Sequence, residues 1–180
     1  MSNAKEYPYM GADAGSIARL SRLLSEGSLD SNALGQRASE IAALMSRWQG
    51  ERGLPRSELI VLGVNLHAYY TALETLLERV ARLLDEEVPA GPAWHRDLLL
   101  QMRIELPGLR PAIIAPELLR ELEELKRFRH FFRDAYVLEL DPDKTRENGE
   151  RVLRIHPQLA AGVSGLLGHV QQMVQALAAG

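Results

Sequence analysis

The chain has 180 residues, which suits one domain with a sizeable buried core. Its 21 lysines and arginines against 24 aspartates and glutamates give a net charge of −3. That balance excludes a protein that is basic all over, although a local basic face remains compatible with it. The absence of cysteine excludes disulfides, cysteine-ligated zinc and cysteine nucleophiles.

The sequence contains neither a predicted membrane span nor a predicted secretory signal. No stretch approaches the ~18 consecutive apolar residues that a transmembrane helix needs. Residues 1–9 lack the apolar run of a secretory signal. We therefore expect a cytoplasmic location and no membrane partner.

Apolar residues recur at helical spacing almost throughout, and no segment alternates as a strand would. The sequence predicts an all-α fold, a bundle of about six helices with short loops. The predicted helices cover residues 13–25, 30–48, 57–86, 94–105, 116–138 and 141–178. Gly27 is expected to end the first, Asp30 or Ser31 to cap the second and Ser57 the third, and Pro157 to interrupt the last. We assign 1–55 to N-terminal helices packed on a bundle spanning 56–180, in one domain overall.

The densest group of functional side chains is an eleven-residue segment with four cations, one histidine, one carboxylate and four aromatics. It reads Lys126-Arg127-Phe128-Arg129-His130-Phe131-Phe132-Arg133-Asp134-Ala135-Tyr136. Helical neighbours are three, four or seven residues apart, so Arg127, His130 and Asp134 share one face. Arg129 and Arg133 lie on a second stripe. One helix thus offers cations and an imidazole in register.

This combination suits chemistry on RNA. Arginine can hold a scissile phosphate with two hydrogen bonds, and an imidazole near pH 7 can move the proton of a 2′-hydroxyl or of a leaving group. Cleavage by this route needs no metal and no cofactor, and no spacing among the histidines and carboxylates predicts a metal site. A structural interpretation stays open: the phenylalanines as core residues, the cations as a salt-bridged face, and His130 as a hydrogen-bonded structural histidine.

The segment resembles the HepT-type members of the HEPN superfamily, ribonuclease toxins that are paired with minimal nucleotidyltransferase antitoxins. Their signature is Arg-x4-His-x-Tyr near the end of a helix, followed by an acidic turn. Here Arg129, Asp134 and Tyr136 stand in that frame, and Leu140-Asp141-Pro142 follows. Residues 73–81 and 89–99 resemble the family segment that precedes the signature helix, so the likeness spans roughly residues 57–157.

The resemblance implies a HEPN-like bundle that acts as a homodimer. Its cleft would be lined by both protomers, with four catalytic candidates and two RNA-binding ones. The catalytic candidates are Arg129, Asp134, His130 and Arg127, and the RNA-binding candidates are Arg133 and Lys126. The implied function is that of a metal-independent ribonuclease toxin, or a weakened descendant, with a nucleotidyltransferase antitoxin as partner.

The sequence departs from the family pattern at Asp134, which stands where the catalytic histidine is expected. A carboxylate with an ordinary pKa near ~3.9 is ionised at neutral pH, so it neither donates a proton nor tolerates a neighbouring phosphate. His130, one turn earlier and ~6 Å away along the axis, is a candidate substitute. We expect weakened or abolished activity.

Tyr136 keeps its place in the pattern. By resemblance it is a candidate acceptor of AMP from the antitoxin, and the alternative is an amphipathic cap on the core.

Three interpretations therefore stay open: the ribonuclease, a non-catalytic HEPN dimer that binds RNA or a nucleotidyltransferase partner, and a purely structural bundle. Outside the signature helix, Trp94 is expected to be a packing anchor. His95 and Arg96 can either reach a dimer cleft or serve the structure. His156, before Pro157, is expected to belong to the interruption of the last helix, and His169 has no expected partner.

Overall fold

A computed structural model describes residues 14–48, 50–134 and 139–179 of the chain. They form five α-helices and no paired strands beyond one isolated bridge between Leu106 and Arg110. The helices are α1 (Ala14–Met45), α2 (Arg56–Val80), α3 (Trp94–Gln101), α4 (Leu119–Asp134) and α5 (Pro142–Ala179). The predicted all-α bundle is confirmed.

Helix α1 is one continuous helix, so the expected break at Gly27 is wrong. Gly27 is buried where α1 crosses its neighbours, and a Cβ there would lie 3.1 Å from Leu167 Cδ2. The glycine permits a close approach rather than a turn. Asp30 caps nothing, because its carboxylate accepts a hydrogen bond of 2.8 Å from Arg79 Nε on α2.

Helix α2 begins one residue before the predicted start, and Ser57 is not its cap. Pro55 holds the N-cap position with no side-chain hydrogen bond. At its far end α2 continues into a π-helical turn, Ala81–Asp85, and Glu86 then takes a left-handed backbone with φ of 59°. The buried Arg110 pairs with Asp85 at 2.6 Å, which ties this turn to the loop after α3.

Helix α5 runs through Pro157 without interruption, contrary to prediction. Proline removes the N–H that would bond the Leu153 carbonyl, but both residues are exposed, so water can take that role. The neighbouring His156 contributes to packing instead of ending a helix, because its Nδ1 is 3.2 Å from the Tyr69 hydroxyl.

Helices α3 and α4 lie where they were predicted, but α4 starts later and α3 ends earlier than expected. A 3₁₀ turn, Pro116–Leu118, leads into α4, and α3 ends at Gln101 instead of near residue 105. His169, expected to have no partner, lies 3.1 Å from the Leu109 carbonyl oxygen.

The three long helices α1, α2 and α5, with α1 packed against both of the others, enclose a single leucine-rich core. Helix α4 packs across α2, α5 and α3, so it presents different side chains to each of them. None of the described helices has a stretch apolar and long enough to cross a bilayer. The placement of α4 determines the site described next.

Candidate functional site

Arg129 turns inward from α4 and is anchored on α2. Its Nη2 atom lies 2.9 Å from Glu74 Oε2, and its Nε donates a hydrogen bond of 3.3 Å to Thr71 Oγ1. The side chains of Arg129 and Glu74 are only 12% and 7% exposed. The Nη1 atom of Arg129 is buried and has no hydrogen-bond partner. Arg129 therefore belongs to a half-buried ion pair with one unused donor group.

Glu74 also holds His95 of α3, through a hydrogen bond between its Oε1 and the histidine Nδ1. The Trp94 ring stacks on the His95 ring with centroids 3.7 Å apart. The His130 ring of α4 contacts the His95 ring edge-on, with centroids 5.0 Å apart. Three helices thus contribute to one connected group: Glu74 from α2, His95 from α3, and Arg129 with His130 from α4. We call these four residues the α4 network.

The protonation of His130 is set by its surroundings. Burial lowers its pKa below the ordinary value of 6.5, and the neighbouring His95, Arg129, Arg133 and Lys126 lower it further. Both effects disfavour an added positive charge. His130 is therefore a neutral imidazole at pH 7, the form that accepts a proton.

His67 lies on the α2 side of Arg129. Burial is the main cause that lowers its pKa, and the charge of Arg129 acts in the same direction, against a hydrogen bond with the Arg129 backbone. Its Nδ1 is buried without a partner, and its ring faces Phe132 at 5.5 Å. His67 is thus a half-buried residue of helix α2.

Arg127 lies on another side of α4. Its side chain is 65% exposed and pairs with Glu124 at 3.0 Å. With Phe131, itself 54% exposed, it borders a cavity of about 380 Å³ between α4 and the start of α5. The structure thus joins Arg129 and His130 in one network and places Arg127 toward α5.

The remaining predicted positions are distributed along and beyond α4. Lys126 is half-buried, and Arg133 is exposed one turn beyond Arg129. Asp134 is the last residue of α4, and Tyr136 lies outside the described residues, so the structural surroundings proposed for it stay a prediction. Within the described part of the chain no three histidine or carboxylate side chains gather as a metal site would require.

Two members of the network were not identified from the sequence. Glu74 reads as an ordinary charged position of a long helix, yet it is buried beside the Leu73 and Leu77 stripe. His95 was left open between a cleft and a structural role. The signal available was that both lie in the stretches 73–81 and 89–99, which resemble the family segment ahead of the signature helix.

The all-α bundle, with Arg129 in the last turns of helix α4, is consistent with a protein of the HEPN type. The family model for "HepT-like protein" matches residues 61–168, well over half of the chain. The chain belongs to the HepT-like family, and the predicted relationship is confirmed. Comparisons with curated proteins and with solved structures find no match.

Proposed function

We propose that this chain is the ribonuclease component of a toxin–antitoxin pair, a homodimer that cleaves RNA without a metal ion at a rate lowered by Asp134. The observation that carries the proposal is the α4 network, in which Arg129 lies in the same hydrogen-bonded group as His95, whose ring contacts the neutral His130. HepT-like family membership supports the same reading.

The chemistry follows from the charge states. The neutral His130 accepts the proton of a ribose 2′-hydroxyl, whose oxygen then attacks the adjacent phosphorus to form a 2′,3′-cyclic phosphate. The guanidinium of Arg129, with 12% of its side chain exposed, supplies positive charge beside the phosphate as negative charge builds up. Asp134 lowers the rate because it adds a negative charge where the family has an imidazole.

The test is incubation of purified protein with total RNA in EDTA, followed by detection of cyclic-phosphate ends. We expect slow cleavage by the parent and none by Arg129→Ala. Arg120→Ala is the matched control, since Arg120 is an exposed arginine of the same helix and is not among the candidate site residues. Equal cleavage by the parent and Arg129→Ala, or none by either, contradicts catalysis. Each variant is assayed below its own melting temperature so that loss of folding is not scored as loss of chemistry.

A second candidate function is a non-catalytic HEPN dimer that binds RNA or tunes a nucleotidyltransferase. It is favoured by the Glu74 carboxylate, which already satisfies the guanidinium that RNA would use. Asp134→His distinguishes the two. Cleavage by this variant but not by the parent assigns the parent to the non-catalytic class, whereas faster cleavage than a measurable parental rate supports the weakened ribonuclease.

The proposed partners have separate tests. Light scattering is expected to give the mass of a dimer. Co-expression with a minimal nucleotidyltransferase encoded next to the gene is expected to add AMP to the chain, and Tyr136→Phe to remain unmodified. Lys126→Ala and Arg133→Ala are expected to weaken RNA binding most at low salt, because phosphate contacts release counterions. A cytoplasmic location is part of the same proposal.

A further inference from the structure

Cleavage through a 2′-hydroxyl has a second half that His130 alone does not perform. The bond from phosphorus to the 5′ oxygen must break, and that oxygen needs a proton to leave as a hydroxyl. In the family pattern a histidine stands at position 134, but here a carboxylate does. A proton donor therefore has to come from elsewhere in the chain.

His95 is held as such a donor would be. Glu74 accepts the hydrogen bond of Nδ1–H, which fixes the tautomer and leaves Nε2 as the ring atom available for proton transfer. The stacked Trp94 ring restricts rotation of the imidazole. Glu74 is in turn held through its other oxygen by Arg129. The carboxylate thus orients a histidine and an arginine at once, while 14% of the His95 side chain stays exposed.

The two histidines lie in opposite electrostatic surroundings. His95 faces the carboxylate of Glu74 from α2 and the His130 ring from α4, and its protonated form makes a salt bridge with Glu74. His130 has cations near it: Arg129, Arg133 and Lys126 on its own helix, besides the His95 ring. The two imidazoles thus have different hydrogen-bond and charge partners, and acid–base catalysis uses two groups that differ in this way.

We propose that His95, oriented by Glu74, is the proton donor to the 5′ leaving oxygen, and that His130 is the paired acceptor. The assignment rests on the proposed ribonuclease function. His130 takes the 2′-hydroxyl proton, the 2′ oxygen bonds to phosphorus, the bond to the 5′ oxygen breaks, and His95 gives its Nε2 proton to that oxygen. The reaction ends with His130 protonated and His95 neutral, and exchange with water restores both. His95 is then a catalytic residue and Glu74 a positioning residue.

The test uses two RNA oligonucleotides that differ in one atom of a mapped cleavage position: the 5′ bridging atom is oxygen in one and sulfur in the other. A thiolate leaves without protonation, so it bypasses a proton donor but not a proton acceptor. We expect His95→Ala to cleave the oxygen substrate on the order of 10²-fold more slowly than the parent, and the sulfur substrate at nearly the parental rate. His130→Ala should lose cleavage of both substrates. His169→Ala should lose cleavage of neither, because His169 lies on α5 and contacts the Leu109 carbonyl oxygen.

The outcomes separate the two proposals. If the parent cleaves neither oligonucleotide, the ribonuclease function and this assignment are both overturned. If the parent cleaves and His95→Ala slows both substrates equally, His95 has only a structural role and this assignment alone is overturned.

Glu74→Gln supplies a readout that does not depend on activity. Nitrogen-15 NMR of the imidazole is expected to show His95 protonated at Nδ1 in the parent and a mixture of tautomers in Glu74→Gln. The same variant is expected to slow the oxygen substrate more than the sulfur one. Unchanged tautomers, or an equal loss on both substrates, would remove Glu74 from its positioning role.

Discussion

Replacing Arg129 with methionine tests whether the ion pair at the centre of the α4 network is as buried as its geometry indicates. The change keeps the length and apolar stem of the side chain but leaves the carboxylate of Glu74, only 7% exposed, without its cation. Removing one partner of a buried pair costs about 3–5 kcal/mol. For a chain of this size each kcal/mol lowers the melting temperature by about 2–4 °C, so Arg129→Met should melt about 6–20 °C below the parent.

The melting temperature is measured by thermal unfolding, and the free energy by urea-induced unfolding, both followed by circular dichroism. Both use neutral pH and one fixed protein concentration, since dimerisation would make stability depend on concentration. The double variant Arg129→Met/Glu74→Gln removes the uncompensated charge and keeps the size of both side chains. It should be more stable than Arg129→Met alone by about 1–3 kcal/mol. Arg127→Met, at an exposed ion pair on the same helix, should cost less than about 1 kcal/mol. A loss of the same size at both arginines, or no recovery in the double variant, would refute the reasoning.

Two further predictions concern stability. Gly162→Ala should destabilise the chain by about 1–3 kcal/mol or more, because its Cβ would lie 2.1 Å from the Ile113 carbonyl oxygen. Gly165→Ala, one turn away with no atom within 4 Å, should stabilise it by about 0.5–1 kcal/mol, and equal melting temperatures of the two variants would contradict this. Burial is the first cause that lowers the pKa of both His130 and His156 below 6.5, so the unfolded chain binds protons first as the pH falls. The stability that these neutral histidines contribute should thus be fully present above about pH 7, and the free energy of unfolding should decrease as the pH falls from about 7 to about 5.5. A free energy that stays level or rises as the pH falls over that window would contradict the pKa directions.

The all-α fold was largely predictable because apolar residues recur at helical spacing along most of the chain. The errors lie where tertiary contacts decide. Gly27 reads as a helix end, but the crossing with Leu167 needs a residue without a side chain. Pro157 reads as a break, but on an exposed helix face water can reach the Leu153 carbonyl that the proline leaves without a donor. In both cases a residue type that often ends a helix lies within a continuous one, because its tertiary surroundings decide the outcome.

The site was predictable only in part. Arg129 and His130 came from the family resemblance and from helical spacing, which relate residues on one helix. Glu74 lies 55 residues before Arg129, and His95 lies 34 residues before it. Only the packing of α2, α3 and α4 brings the three residues together. A buried carboxylate is also indistinguishable from an exposed one by residue type. The charge compensation of Arg129 therefore had no signature in the sequence.

Helix α1 precedes the matched segment 61–168, yet its apolar stripe is part of the same core. A fragment trimmed to the matched segment would start within α2, stop within α5 and leave the α1-facing surfaces of both bare. Such a fragment would aggregate, since a bare leucine-rich surface of that extent is an association site. Anyone transplanting this domain, or replacing it in a relative, has to carry the first helix along with it.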